Sequence, residues 1–255
     1  MAFRRDHAVH AFSPGGWLVP AGLPYISLIT PGGFTTMKTD YTHISLVLDR
    51  SGSMSIVRDD TIGGFNRFLE EQQAVPGKAT FTFVLFDSSA IEFKSVGADI
   101  KNIPKLTKET YVPGDYTPLY DAIGQTIEET GGLLKNLPES ERPAKVVFVV
   151  MTDGQENASR KFGVNRIREM IEHQKTQYKW EFVFLGATID SYAVGGSIGV
   201  QPTNIMNFGP SGQSVNSAYS SASGNLRAFR TNNKADMSFT QEDKSAQLAA
   251  GVDNP

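Results

Sequence analysis

The sequence predicts an open α/β sandwich of the Rossmann-like kind: a mostly parallel sheet, helices on both faces, and one antiparallel edge strand. Three observations predict it. Short β-rich apolar runs alternate with amphipathic helical patterns along most of the 255 residues. The runs are continuous in apolar character, as in strands buried on both faces. Two of the runs are separated by only Ser88 and Ser89, too short a link for anything but an antiparallel neighbour.

The first run is "HISLVLD" (43–49). "TIGGFNRFLEEQQ" follows, with Ile62, Phe65, Phe68 and Leu69 on one helical face and Asp59, Asp60 and Thr61 as candidate caps. Gly63 and Gly64 each cost a helix about 1 kcal/mol, and close packing of helix on sheet accounts for their presence. "TFTFVLFD" (80–87) and "AIEFKSV" (90–96) form the hairpin and supply the edge strand. In "TPLYDAIGQTIEETGGLLKNL", Leu119, Ala122, Ile123, Thr126, Ile127 and Thr130 repeat at helical spacing. "AKVVFVVMTDG" (144–154) and "WEFVFLGA" (180–187) read as buried strands, with a helix over Phe162 to Gln177 between them. "SYAVGGSIG" reads as a short helix, "NIMNFG" (204–209) as a last short strand, and "VNSAYSSASGNLRAFR" as a helix that covers the sheet.

Outside this pattern lie two ends. Residues 1–36 are apolar but broken by Pro14, Pro20, Pro24 and Pro31, so they fit neither a signal peptide nor a span. They are expected to be a poorly ordered leader, with the domain occupying 37–231 and a polar tail 232–255. The formal net charge of −3 gives no basic field for nucleic acid or an anionic membrane. No apolar stretch approaches the ~20 residues that cross a bilayer. The absence of cysteine removes disulfides and thiolate chemistry and suits a cytoplasmic location.

In open α/β sheets, ligands sit beyond the carboxyl ends of the strands. Three segments expected there carry clustered oxygens: Asp49-Arg50-Ser51-Gly52-Ser53, Thr117 at a helix start, and Asp153 in "MTDGQEN". Each alone has an ordinary reading: a turn, an N-cap before proline, a second turn. Their coincidence on one edge points to a site of two acids and three hydroxyls, without histidine. Such ligation suits a hard cation, Mg²⁺ first, with Mn²⁺ or Ca²⁺ as alternatives. Side chains two apart on an extended stretch point the same way, and Gly52 is expected to let the loop turn tightly.

The D-x-S-G-S-M form at 49–54, with "TPL" at 117–119 and "TDG" at 152–154, resembles the metal-ion-dependent adhesion site of von Willebrand factor A domains, in their compact bacterial and phage form. The resemblance covers roughly 42–208. It implies that Ser51, Ser53 and Thr117 touch the metal, that Asp49 and Asp153 do so directly or through water, and that an open position takes an Asp or Glu from a partner protein. Arg50 stands at a variable position of the motif, where its charge would weaken the metal or orient an acidic ligand. Four further acids are candidate outer groups of the site or partner contacts: Asp87 ends the second strand, where a strand-end cap is the simpler reading; Asp121 stands one turn after Thr117, where solvent exposure is the ordinary reading; Asp115 and Glu156 flank the site as outer-sphere or merely solvated groups. His43 and His173 fall off the ligand edge and are expected to be structural.

The function expected is therefore a binding module rather than an enzyme. The alternative is a metal-dependent hydrolase or phosphatase using a metal-bound water. Against it, Asp-x-Ser lacks the second carboxylate of an aspartyl-phosphate site, and there is no G-x-S-x-G elbow. Nucleotide binding has neither G-x-G-x-x-G nor a P-loop to support it.

Overall fold

The computed structural model describes residues 38–187 and 191–254, all within one compact unit. The expected leader, 1–36, lies outside the described residues. In chain order the elements are β1 (Lys38–Asp49), α1 (Arg58–Ala74), β2 (Lys78–Phe86), β3 (Ile91–Asp99), α2 (Leu119–Lys135), β4 (Pro143–Thr152), α3 (Val164–Tyr178), β5 (Glu181–Gly186), α4 (Ser191–Ser197), β6 (Ile205–Asn207), α5 (Gly212–Arg230) and α6 (Gln241–Ala249). The strands form one sheet in the order β3-β2-β1-β4-β5-β6. Every pairing is parallel except β2 with β3, so the short Ser88-Ser89 link does make an antiparallel edge. Among the described residues no helix is long and apolar enough to cross a membrane.

Continuous apolar strands work here because both faces are covered. Ile44, Leu46 and Leu48 of β1 pack with Phe65, Phe68 and Leu69 of α1 and Val215, Tyr219 and Leu226 of α5. Val47 and Phe148 face Leu119, Ile123 and Ile127 of α2 and Ile167 and Ile171 of α3. The second face also holds polar groups under α2. The His43 ring sits 2.9 Å from Thr80 Oγ1, and Ser45 Oγ sits 2.9 Å from Thr130 Oγ1. His43 is fully buried, and desolvation lowers its pKa to about 4. It is structural, as expected.

Three expectations need correction. Asp59, Asp60 and Thr61 do not cap α1. The chain enters that helix through a 3-10 turn, Gly52–Val57, which places Asp59 and Asp60 inside the first turn, where the positive end of the helix dipole favours acids. The close approach at Gly64 is to a helix, not to the sheet: a Cβ there would lie 2.2 Å from the Tyr219 ring of α5, whereas Gly63 faces open space.

The third correction concerns 232–255, expected as a polar tail. It folds back onto the domain. Met237 and Phe239 are buried in the core face shared with α5. Thr240 and Asp243 form a reciprocal capping box at the start of α6. Gln247 Oε1 accepts the Ser214 hydroxyl at 2.7 Å, and its amide donates to Ser214 O at 3.0 Å. Asn254 then bonds the main chain of the edge strand β6, accepting from Asn207 N–H at 2.6 Å. The segment reads as a tail because its anchors are polar and its apolar residues few.

Candidate metal centre

The sheet order reverses between β1 and β4: the chain winds outward from β1 to β3 on one side and from β4 to β6 on the other. A crevice opens at such a reversal. Asp49 closes β1, and Asp153 follows the last residue of β4 directly. The two strands are parallel neighbours, with Leu48 beside Met151, so their ends bring both acids to one place.

The loop after β1 is shaped by its own side chains. Ser51 N–H donates to Asp49 Oδ1 at 2.6 Å, bending the chain back over the strand end. That sets Ser51 Oγ and Ser53 Oγ 3.3 Å apart, and Ser53 Oγ donates to Asp153 Oδ1 at 2.6 Å. The other carboxylate oxygen of Asp49 accepts the Thr152 hydroxyl at 2.5 Å. Thr117 closes the ring from the far side: a Cβ built on Gly154 would fall 2.7 Å from Thr117 Oγ1 and 3.5 Å from Asp49 Oδ2. The five residues expected from the sequence thus converge. Gly52 is not among the residues with a left-handed φ, and a Cβ there would make ordinary contact at 3.4 Å, so the turn does not demand glycine.

Taken alone, Thr117 before Pro118 reads first as an N-cap. The structure places Pro118 at that position, and no side chain of the helix entry caps it locally. The free N–H groups of the first turn are satisfied from the loop after β4 instead. Tyr120 N–H donates to Glu156 Oε2 at 2.9 Å, and Asp121 N–H donates to Ser159 Oγ at 3.0 Å. Thr117 N–H itself goes to Asn157 Oδ1 at 2.8 Å.

Burial raises both acids. Asp49 is pushed up to about 6 by desolvation, against hydrogen bonds from Thr152 and Ser51 that pull the other way. Asp153 is raised by the same cause. Among the described residues no cationic side chain pairs with either acid. Arg50 turns away, with Nε 2.8 Å from Asp87 Oδ2 and an Nη 3.2 Å from Glu92 Oε1. The donor set is all oxygen and carries two carboxylates; among the described residues no three His, Cys, Asp or Glu side chains gather as a metal cage. One buried and one half-buried carboxylate with three hydroxyls fit a hard divalent cation and do not fit a thiophilic one.

The remaining candidates are fasteners rather than contributors of oxygen to the centre. Asp87 Oδ1 accepts from the Ser89 and Ala90 N–H groups at 2.8 and 3.0 Å and from the Ser89 hydroxyl, a strand-end cap as the simpler reading had it. Asp115 is exposed and left-handed (φ 59°), a conformation Asp tolerates, and it acts through its carbonyl, which accepts Gly52 N–H at 3.0 Å. Asp121 accepts from the N–H groups of Arg160, Lys161 and Phe162 at 2.8 to 2.9 Å. Glu156 gathers Ala158, Ser159 and Tyr120. Sequence reasoning missed Thr152, Gly154, Asn157 and Tyr111. The Tyr111 hydroxyl donates to Asp49 O at 2.6 Å from full burial. Thr152 and Gly154 were visible as the flanks of Asp153; nothing in sequence singles out Tyr111 or Asn157.

Sheet order and the antiparallel edge give a von Willebrand factor A-type fold, and the acid–hydroxyl ring lies at its sheet reversal. Solved structures share the fold. The pilus adhesin SpaC of Lactobacillus rhamnosus GG aligns over 73% of this chain and 30% of its own, with a TM-score of 0.54 and 14% identity. Proximal thread matrix protein 1 of the mussel byssus aligns over 70% of this chain and 46% of its own (TM-score 0.51, 13% identity). A second structure of that mussel protein, with a zinc-occupied MIDAS motif, gives a TM-score of 0.50 at 14% identity. The chain thus spans less than half the length of these proteins. No protein-family model matches the sequence, and no curated protein does.

Proposed function

We propose that the protein is a metal-dependent protein-binding module whose Asp49, Ser51, Ser53, Thr117 and Asp153 hold a divalent cation, Mg²⁺ by preference, against an acidic residue of a partner. The observation that carries this reading is the ring itself: two acids and three hydroxyls, from three separate segments, gathered around Gly154 at the sheet reversal. When bound, the cation supplies Lewis acidity and a coordination position for a carboxylate from outside. Asp49 and Asp153 supply the charge. The serines and Thr117 supply neutral oxygens, so the ion is left under-neutralised and receptive to an anion. Occupied adhesion motifs in a fold neighbour, and the adhesin among those neighbours, support the same reading.

Hydrolysis is the weaker reading because, among the described residues, the carboxylates at the strand ends and the histidine of β1 are committed elsewhere. Asp87, Asp121 and Glu156 each spend their carboxylates on several hydrogen bonds to the chain. His43 is sealed in the sheet. The test is calorimetric titration of Mg²⁺ and Mn²⁺ into chelator-treated protein, beside Asp49→Ala. One saturable site, lost in the variant, is expected. Heat that does not saturate, or an unchanged isotherm in Asp49→Ala, overturns the assignment.

A further inference from the structure

Among the described residues, Ile56, Val96, Val112, Tyr116, Tyr178 and Leu248 are the large apolar side chains left exposed. Singly, such exposure means little. Three of them, however, stand on the two loops that build the candidate centre. Ile56 (74% exposed) lies on the 3-10 turn that follows Ser51. Val112 (57%) follows Tyr111, and Tyr116 (67%) precedes Thr117. The two loops are joined directly, Gly52 N–H to Asp115 O at 3.0 Å and Gly114 N–H to Arg50 O at 2.9 Å. Tyr116 is held in place, not left loose: its N–H donates to Ser88 Oγ at 3.1 Å and its carbonyl accepts Ser88 N–H at 2.9 Å.

Beside Tyr116 runs an open groove of about 740 Å³, walled by Ile91, Pro118, Asn157 and Arg160. The acids along it, Asp87 and Asp121, are occupied by internal hydrogen bonds. The Arg160 side chain is exposed and enters no ion pair among the described residues, while its neighbour Lys161 is paired with Glu128. The face therefore offers a cation position, an apolar rim and an unpaired guanidinium, with Asp87 paired to Arg50 and Asp121 held by three backbone N–H groups. That combination is complementary to negative charge carried next to apolar bulk.

We infer that the partner presents an extended acidic segment, in which the metal-directed Asp or Glu is flanked by a bulky apolar residue that packs on Tyr116 and Ile56, with further acidic residues directed along the groove toward Arg160. This rests on the metal reading above and adds to it a selectivity that the centre alone does not supply. A carboxylate on the cation gives orientation; a few buried anchors, ringed by contacts that exclude water, give most of an interface its affinity.

The probes are two fluorescent peptides, Gly-Leu-Asp-Leu-Gly-Glu and Gly-Gly-Asp-Gly-Gly-Glu, followed by anisotropy in Mg²⁺ and in EDTA. The leucine peptide is expected to bind about tenfold more tightly, in Mg²⁺ only. The double variant Ile56→Ser, Tyr116→Ser should lose that advantage while titrating with Mg²⁺ as the wild type does. Arg160→Gln should weaken both peptides about threefold. Equal affinity for the two peptides, an advantage that survives the double variant, or no binding of either to Mg²⁺-saturated protein overturns the inference alone. A wild type that takes up no Mg²⁺ in the parallel calorimetry overturns the metal reading, and this inference with it.

Discussion

At the scale of single residues, Gly154 is the position where one methyl group decides the site. It sits between Thr117 and Asp49, and a Cβ at 2.7 Å from Thr117 Oγ1 must push that hydroxyl out of the ring. Gly154→Ala should therefore fold with little loss of stability yet bind Mg²⁺ at least ten times more weakly; calorimetry beside a urea titration separates the two effects. Intact affinity in a folded variant would show that Thr117 is not a ligand. His43 offers a different residue-level test. Its pKa falls from about 6.5 unfolded to about 4 folded, because burial excludes the charged ring. Between those values the unfolded chain takes up a proton that the native protein refuses, so stability is retained above pH 6.5 and lost as pH falls toward 4. From pH 7.5 to 4.5 the wild type should lose roughly 2–3 kcal/mol more than His43→Gln. Asp49, whose raised pKa acts in the opposite sense over part of this range, is common to both proteins and cancels in the comparison. Parallel pH profiles would show that His43 is not held neutral.

At the scale of elements, the packing of α1 on α5 separates two adjacent glycines that look alike in sequence. Gly64→Ala would drive a Cβ to 2.2 Å from the Tyr219 ring, itself buried, and should cost about 1–3 kcal/mol. Gly63→Ala meets nothing within 4 Å and should stabilise by about 0.5–1 kcal/mol through helix propensity. Urea midpoints that move the same way for both would contradict this assignment of faces. The pair also marks what was legible in advance. The buried strands announced themselves, because a strand covered on both faces must be largely apolar, and the two-residue link left only one direction for the half-exposed edge strand β3. Which helix meets which was not legible, since "GG" signals close approach without naming the neighbour. Nor was α6: its hold on the domain runs through Gln247, Thr240 and Asp243, whose polarity in sequence is that of a solvated tail. Thr117 shows the same limit at the site. Its hydroxyl is free of capping duty only because Glu156 and Ser159, nearly forty residues onward, satisfy the first turn of α2 in its place.

At the scale of the whole molecule, the centre exists only where three distant segments are held together by the sheet reversal. Asp49 and the serines leave β1, Asp153 leaves β4, and Thr117 enters α2; the loops between them are tied to one another through Asp115, Asn157, Glu156 and Asp121. An unfolded chain has no such ring, so a cation that binds it must stabilise the native state as a whole. At a hundredfold excess over its dissociation constant the gain is about 2.7 kcal/mol. For a domain of this size that raises Tm by roughly 5–10 °C. Thermal unfolding in Mg²⁺, against NaCl of matched ionic strength, should show the rise in the wild type. Thr117→Val preserves shape and removes one neutral oxygen that caps nothing, so its Tm without metal should stay close to that of the wild type and its Mg²⁺ shift should fall to less than half. An equal shift in both proteins would mean that the ion acts elsewhere on the surface. A lowered metal-free Tm with a full shift would make Thr117 a structural residue, returning the third segment of the ring to the ordinary reading of a helix entry.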